Sequence, residues 1–348
     1  MDTVKIGIVG SKFAADFHAD SYSRYPSAEI VAVAAIDNLG EYSKKWNIPK
    51  TYEDYKEMIA KEDIDVVDVC VPNFLHHDVA VAAAEAGKHV ITEKPLSTTV
   101  EDARHVVEVC KRNNVILCYA EDWVFAPALV RAEEIIKENG IGKVFWIKAK
   151  ECHNGSHSKF AQLKKYCGGG SMMHLGIHSV GWLRAFLGQK VVEVTGKVTP
   201  GGEGNFTHKN YTGEDWGCAI LKFEDGTMAF IEGNYITVGG MQDNIEIYGE
   251  TGCMHIDVTH SSPIRAYSRE GYSYAIEKTD FTKGWTRPAV DEFRNLGYVE
   301  ELEYFVNCLR KNEQPRFGVR VEDGAACVEI INAVYASAEK GKSVTGLW

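Results

Sequence analysis

The sequence predicts an α/β domain followed by an α+β domain, on three observations. Over roughly the first 120 residues, short apolar runs without polar alternation are separated by helix-length segments, the pattern of parallel strands covered on both faces. Beyond them the strand patterns lengthen and partly alternate, and turn signals join neighbours. The length, 348 residues, suits about two domains of roughly 100–200 residues each. We place the division at 1–121 and 122–348, with the C-terminal helices packing back on the rest of the chain.

Taken in order, residues 4–10 (VKIGIVG) read as a strand ending in glycine, and the stretch to residue 25 reads as a helix. Ile30 to Ile36 is a second buried strand closed by Asp37, followed by an amphipathic segment at 40–46 and a helix from Tyr52 to Ala60. Strands at 66–71, 89–92 and 115–120 are spaced by helices at 77–87 and 99–113. This is a doubly wound sheet. After a helix at 127–138, strands are expected at 144–151, 190–198, 216–224, 227–236, 243–250, 253–258 and 264–269. Glu224-Asp225-Gly226 and Gly249-Glu250-Thr251-Gly252 are hairpin chemistry, so this sheet should be mostly antiparallel. One helix is expected inside it at 172–187, and two more at 296–311 and 321–340.

Composition narrows the function. With 38 Lys+Arg against 49 Asp+Glu the net charge is -11, the wrong sign for a surface that neutralises nucleic-acid phosphates. No apolar run approaches the roughly 18 residues of a membrane helix, and Met1-Asp2-Thr3-Val4-Lys5 leads straight into a strand pattern without a signal-peptide core. Nine scattered cysteines with no C-x-x-C pair suggest reduced thiols. The expectation is a cytoplasmic protein with neither a nucleic-acid nor a membrane partner.

Between the first strand and first helix, Gly7-Ile8-Val9-Gly10-Ser11-Lys12-Phe13-Ala14-Ala15 sits where a phosphate-binding turn belongs, with Asp37 ending the second strand. An acid there accepts ribose hydroxyls and repels a 2′-phosphate, which favours NAD over NADP. Gly10 fits the first fingerprint glycine and Ala15 the third, but Lys12 replaces the second. Its ammonium either reaches the pyrophosphate or marks weakened binding; a purely structural turn is the competing reading. Gly10, Ser11, Lys12, Phe13, Ala14 and Asp37 are the resulting cofactor candidates.

Three further segments carry a resemblance: Val71-Pro72-Asn73-Phe74-Leu75-His76, Ala84-Glu85-Ala86-Gly87-Lys88-His89-Val90-Ile91-Thr92-Glu93-Lys94-Pro95, and Gly168-Gly169-Gly170-Ser171-Met172-Met173-His174-Leu175-Gly176-Ile177-His178. Together with Gly297-Tyr298, Glu301, Phe305, Ala333, Ser337 and Gly341 near the end, the chain resembles the Gfo/Idh/MocA family of sugar and polyol oxidoreductases over nearly its whole length. The resemblance implies an N-terminal Rossmann domain and a C-terminal open-faced sheet that forms homodimers or homotetramers, with the substrate in a cleft against the nicotinamide. It implies that Lys94 polarises the reacting oxygen and that His178 is the acid/base group, a task suited to imidazole near neutral pH. Pro72, Asn73, His76 and Glu93 would line the cofactor side. A surface ion pair is the bland reading of Lys94.

The departures from the family pattern are also informative. His174 stands where the family usually has Asp, four residues before His178, and Gly181 replaces another usual Asp. Two imidazoles at i and i+4 share a helix face and suit a divalent metal, with His153 and Glu121 as candidate third ligands and Glu151, Cys152, His157 and Cys167 nearby. Recognition of sugar hydroxyls by His174, His153 and His157 is the alternative, and ordinary polar packing a third reading. Glu121 and Trp285, the latter near Arg287, Asp291 and Glu292, are further substrate candidates, although a solvated loop explains that cluster as well. The expected activity is hydride transfer between NAD and a hydroxyl carbon of a sugar, inositol or glycoside. The alternatives are redox-neutral glycoside cleavage through a transient ketone, with His174 as a second base, and a non-catalytic sugar or nucleotide sensor.

Overall fold

Six strands of the N-terminal region form one parallel sheet: β1 (Val4–Val9), β2 (Ala28–Ala34), β3 (Lys50–Tyr52), β4 (Val66–Val69), β5 (His89–Glu93) and β6 (Leu117–Ala120), in the order β3-β2-β1-β4-β5-β6. Helices α1 (Phe13–Ser23), α2 (Leu39–Trp46), α3 (Tyr55–Lys61), α4 (His76–Glu85) and α5 (Val100–Asn113) connect them. Every residue of β4 and β6 is buried, the reason those runs show no polar alternation. Strand order reverses between β1 and β4, the switch point where open α/β sheets bind ligands.

The computed structural model describes residues 3–260, 264–272 and 282–347. It divides into two units, Met1–Glu121 with Tyr298–Val328, and Asp122–Gly297 with Glu329–Trp348. In the first, α10 (Tyr298–Lys311) packs on α1, with the Phe17 and Tyr298 rings edge-on at 4.9 Å. The expected helix from Tyr52 begins instead at Tyr55. Asp54 caps it by accepting from the Lys56 N–H at 2.8 Å, and Lys50–Tyr52 pairs with β2 as an edge strand. Such a cap contributes about 0.5–2 kcal/mol.

The second unit is built on a seven-stranded sheet of β7 (Val144–Cys152), β8 (Val191–Val198), β9 (Trp216–Phe223), β10 (Met228–Asn234), β11 (Gln242–Gly249), β12 (Cys253–Asp257) and β15 (Val344–Thr345), in the order β12-β11-β7-β10-β9-β8-β15. Only the β7–β10 pair is parallel. Burial alternates along β9, β10 and β11, so one face is covered. Helices α6 (Pro127–Lys137), α7 (Lys164–Cys167), α8 (Ile177–Leu187) and α9 (Glu292–Leu296) and a hairpin of β13 (Ala266–Ser268) with β14 (Gly284–Thr286) complete the unit. Helix α11 (Val321–Lys340) is shared along its length, its first part belonging to the first unit.

Two expected helices differ in where they begin. The 172–187 segment is a π-helical turn, Met172–Gly176, followed by α8, and the expected 296–311 helix is α10, which starts at Tyr298 after Gly297 ends the short α9. The π-turn is anchored by Glu214, whose carboxylate accepts from the Met172 N–H at 2.9 Å and from Tyr335 Oη at 2.8 Å. Glycine is required just before it, because a Cβ on Gly170 would lie 2.2 Å from the Glu214 carbonyl oxygen.

Candidate active site

In the first unit, Gly10 adopts φ +129°, and a Cβ there would stand 2.2 Å from the Cys70 carbonyl oxygen. The backbone therefore turns sharply off β1 into α1, whose N-cap residue Lys12 makes no side-chain cap. A helix N-terminus opened in this way suits the pyrophosphate of a dinucleotide. Ser11 donates to the Asp37 carbonyl at 2.6 Å, and Asn38 donates to the Ser11 carbonyl at 3.1 Å, joining the turn to the end of the second strand. The Lys12 ammonium lies 2.5 Å from the Asp37 carboxylate, with both side chains more than half exposed, so the residue standing at the second fingerprint position turns to the acid that ends the second strand. Ala14 is half-buried and Phe13 exposed beside it.

Pro72 leads into a 3-10 turn, Asn73–Leu75, and His76 opens α4. The His76 ring nitrogens lie 2.6 Å from the Pro95 carbonyl and 2.7 Å from the Val71 carbonyl. His76 thus ties this loop to the Glu93-Lys94-Pro95 turn; burial lowers its proton affinity while the two carbonyls oppose the shift. The Lys94–Pro95 peptide is cis. Glu93 Oε2 accepts from the Lys94 N–H at 3.1 Å, and Glu93 Oε1 lies 3.1 Å from His18 Nε2. The other His18 nitrogen lies 2.8 Å from Asp68, which also accepts from Tyr22 Oη. Neither His18 nor Asp68 was singled out from the sequence. Their signal was faint: one imidazole on an Ala-rich helix and one acid in a valine strand.

In the second unit, His178 on α8 is buried against Asp122 and Glu151: its Nδ1 lies 3.0 Å from Asp122 Oδ1, its Nε2 lies 3.6 Å from Glu151 Oε2, and Trp123 stacks on its ring. Strand register explains a further neighbour, since Glu151 on β7 is directly paired with Asp243 on β11. Burial, then the adjacent Glu151 charge, hold the Asp243 carboxyl well above the usual carboxylate range, although the Thr259 hydroxyl donates to it. An imidazole flanked by carboxylates can accept a proton and have the resulting charge stabilised. Asp122 and Asp243 carried no sequence motif, and Glu151 only its place beside Cys152 and His153.

The remaining candidates separate. His174 Nδ1 lies 2.6 Å from the hydroxyl of the fully buried Tyr235, and the buried His153 ring lies 5.5 Å from the same tyrosine. His208 stacks on Tyr211, which meets Tyr235 edge-on. His174 and His178 therefore serve different partners, and among the described residues no group of three potential ligand atoms includes His174 or His153. His157 is exposed. Trp285 is 63% exposed on the β13–β14 hairpin, packed against Tyr267 and Arg265. Glu121, the last residue of the first unit's N-terminal stretch, is buried.

A glycine turn closed by an acid, a lysine turn after a parallel strand and a carboxylate-flanked histidine define a nucleotide-dependent oxidoreductase. Residues 4–121 match the model of the oxidoreductase family with an NAD-binding Rossmann fold, and residues 129–255 match the Gfo/Idh/MocA C-terminal domain. The chain belongs to the Gfo/Idh/MocA family. It is 24% identical over 347 residues to myo-inositol 2-dehydrogenase of Thermotoga maritima, covering 98% of each chain. It is 24% identical over 358 residues to D-glucoside 3-dehydrogenase of Escherichia coli, covering 98% of this chain and 97% of that one. The fold is shared with GenD2 from gentamicin A biosynthesis, solved in complex with NAD, at a TM-score of 0.90 and 24% identity over 100% of this chain and 97% of that one. Among the described residues no helix is long and apolar enough to cross a membrane.

Proposed function

We propose that this enzyme oxidises a ring hydroxyl of an inositol, sugar or glycoside with NAD, or runs the reverse reaction. The observation that carries the reading is His178 held between Asp122 and Glu151 at 3.0 and 3.6 Å. Residues 1–121 bind the dinucleotide and 122–348 the substrate. Gly10, Ser11, Phe13 and Ala14 hold the pyrophosphate, Asp37 holds the adenosine ribose, and Asn73 lines the nicotinamide side. Bound NAD supplies the hydride acceptor. Lys94 polarises the substrate oxygen, His178 takes the hydroxyl proton as C–H hydride departs, and Asp122 stabilises the imidazolium that forms. His174, half-buried and steadied by Tyr235, offers a hydrogen bond to a further hydroxyl. The similarity to dehydrogenases of myo-inositol and D-glucosides supports this class of substrate. No step is assigned to a metal ion.

The enzyme is cytoplasmic and homo-oligomeric in this reading. None of the nine cysteines is joined in a disulfide, which supports a reducing compartment. The less buried face of the sheet interleaves Trp146, Trp216, Ile220, Met228, Phe230 and Tyr248 with Lys148, Lys150, Glu232 and Glu246, a mixed apolar and charged surface that a second copy could cover. Incubation with NAD, inositols, free sugars and methyl glucosides tests the activity: NADH must rise with a product two hydrogens lighter. Light scattering tests the assembly, a monomer at working concentration removing that part.

A further inference from the structure

We propose that His18 is a positioning residue for Lys94: its ring clamps Asp68 on one side and Glu93 on the other and thereby fixes the turn from which Lys94 projects. The inference rests on the reading of Lys94 as the group that polarises substrate. His18, Asp68 and Glu93 are all buried. His18 Nδ1 lies 2.8 and 3.0 Å from the two Asp68 oxygens, and Nε2 lies 3.1 Å from Glu93 Oε1. The second Glu93 oxygen accepts from the Lys94 N–H at 3.1 Å. Glu93 is therefore gripped through both oxygens, one by the imidazole and one by the lysine's own backbone.

The ring itself is immobilised. Cys70 Sγ lies 3.4 Å from Nδ1, Tyr22 donates to Asp68 Oδ2 at 3.0 Å, and the Tyr298 ring packs at 5.9 Å. Asp68 and Glu93 come from the adjacent parallel strands β4 and β5, and His18 from α1, the helix that opens with the dinucleotide turn. Withdrawing such charged groups from water is costly, and apolar residues would fill the same volume at least as stably. What the charged arrangement provides instead is a defined geometry from the cofactor helix to the Lys94 turn.

The test uses His18→Gln, whose amide carries its donors on a single nitrogen and cannot bridge two carboxylates as the ring does. With NAD and whichever of myo-inositol or methyl glucoside turns over faster, kcat is expected to fall about 10²-fold, the scale of a misplaced catalytic group, while KM for NAD stays within about threefold. Glu93→Gln should fall similarly, and the double variant no further than the worse single, because both act through one contact. Reductive ¹³C-methylation gives a readout independent of turnover: the Lys94 dimethylamine signal should move in both folded variants and stay in place in His105→Gln. Should His18→Gln not fold, Glu93→Gln decides. Wild-type kcat in a folded variant, multiplying losses in the double variant or an unmoved Lys94 signal would overturn the assignment. Wild-type turnover in Lys94→Ala would overturn the reading of Lys94 and this proposal with it, whereas an inactive Lys94→Ala beside a fully active His18→Gln removes the positioning role alone.

Discussion

Replacing Asp68 with Asn tests the buried ion cluster of the first unit. Asp68 meets His18 through both oxygens at 2.8 and 3.0 Å and takes the Tyr22 hydroxyl at 3.0 Å, all in a site closed to solvent. Burial is the largest single influence and acts to strip the His18 proton, but the Asp68 charge, the neighbouring Cys70 and the hydrogen bonds to both together outweigh it and hold the imidazole well above its ordinary range. Removing one partner of such a pair leaves a poorly compensated buried charge and costs about 3–5 kcal/mol. At about 2–4 °C per kcal/mol for a unit of this size, unfolding should occur roughly 6–20 °C lower. The pH dependence has a defined sign. A raised histidine stabilises fully below its unfolded value of about 6.5, and the contribution declines as pH climbs from there towards the folded value. The gap between wild type and Asp68→Asn should therefore be widest near pH 6 and narrow as pH rises. Calorimetry or circular dichroism across this range reads it. A gap under about 3 °C, or one that does not change with pH, would refute an ionised His18–Asp68 pair.

Gly10→Ala forces a side chain into a φ of +129° and against the Cys70 carbonyl, a strain of about 1–3 kcal/mol that must displace the turn. Calorimetric titration should show NAD binding weakened at least about tenfold, and unchanged affinity would remove the turn from the cofactor site. Asp122→Asn should lower kcat by about 10²–10⁴ with little change in KM, as when a histidine loses its orienting carboxylate; normal turnover would dissociate Asp122 from the chemistry. Lys12→Gly frees Asp37 from an exposed ion pair worth about 0–1 kcal/mol, so NAD should bind up to about fivefold tighter and discrimination against NADP should rise. Binding assays with both dinucleotides check this, and a fall in NAD affinity would mean that Lys12 serves the pyrophosphate instead.

The parallel sheet was legible in the sequence because its strands are buried on both faces and write uninterrupted runs such as Leu117–Ala120. The three-residue strand Lys50–Tyr52 was not, since an edge strand with exposed residues leaves no such run. The π-turn at Met172–Gly176 depends on Glu214, some forty positions away, and local periodicity carries no trace of that contact. The same holds for the candidate site. Lys94 and His178 stand in recognisable motifs, whereas Asp122, Glu151 and Asp243 meet through strand register and a loop, and His18 finds Asp68 and Glu93 only once two strands lie side by side. The i, i+4 spacing of His174 and His178 suggested a shared metal; His174 lies within the π-turn and meets Tyr235, while His178 on α8 meets Asp122.

The central claim is hydride transfer to NAD from a ring hydroxyl. Incubation of the purified enzyme with NAD and a panel of inositols, sugars and methyl glucosides, following NADH absorbance and product mass together, tests it most directly. The account predicts equimolar NADH and a product lighter by two hydrogens, both lost in Lys94→Ala. Release of the methyl aglycone with no net NADH would contradict it.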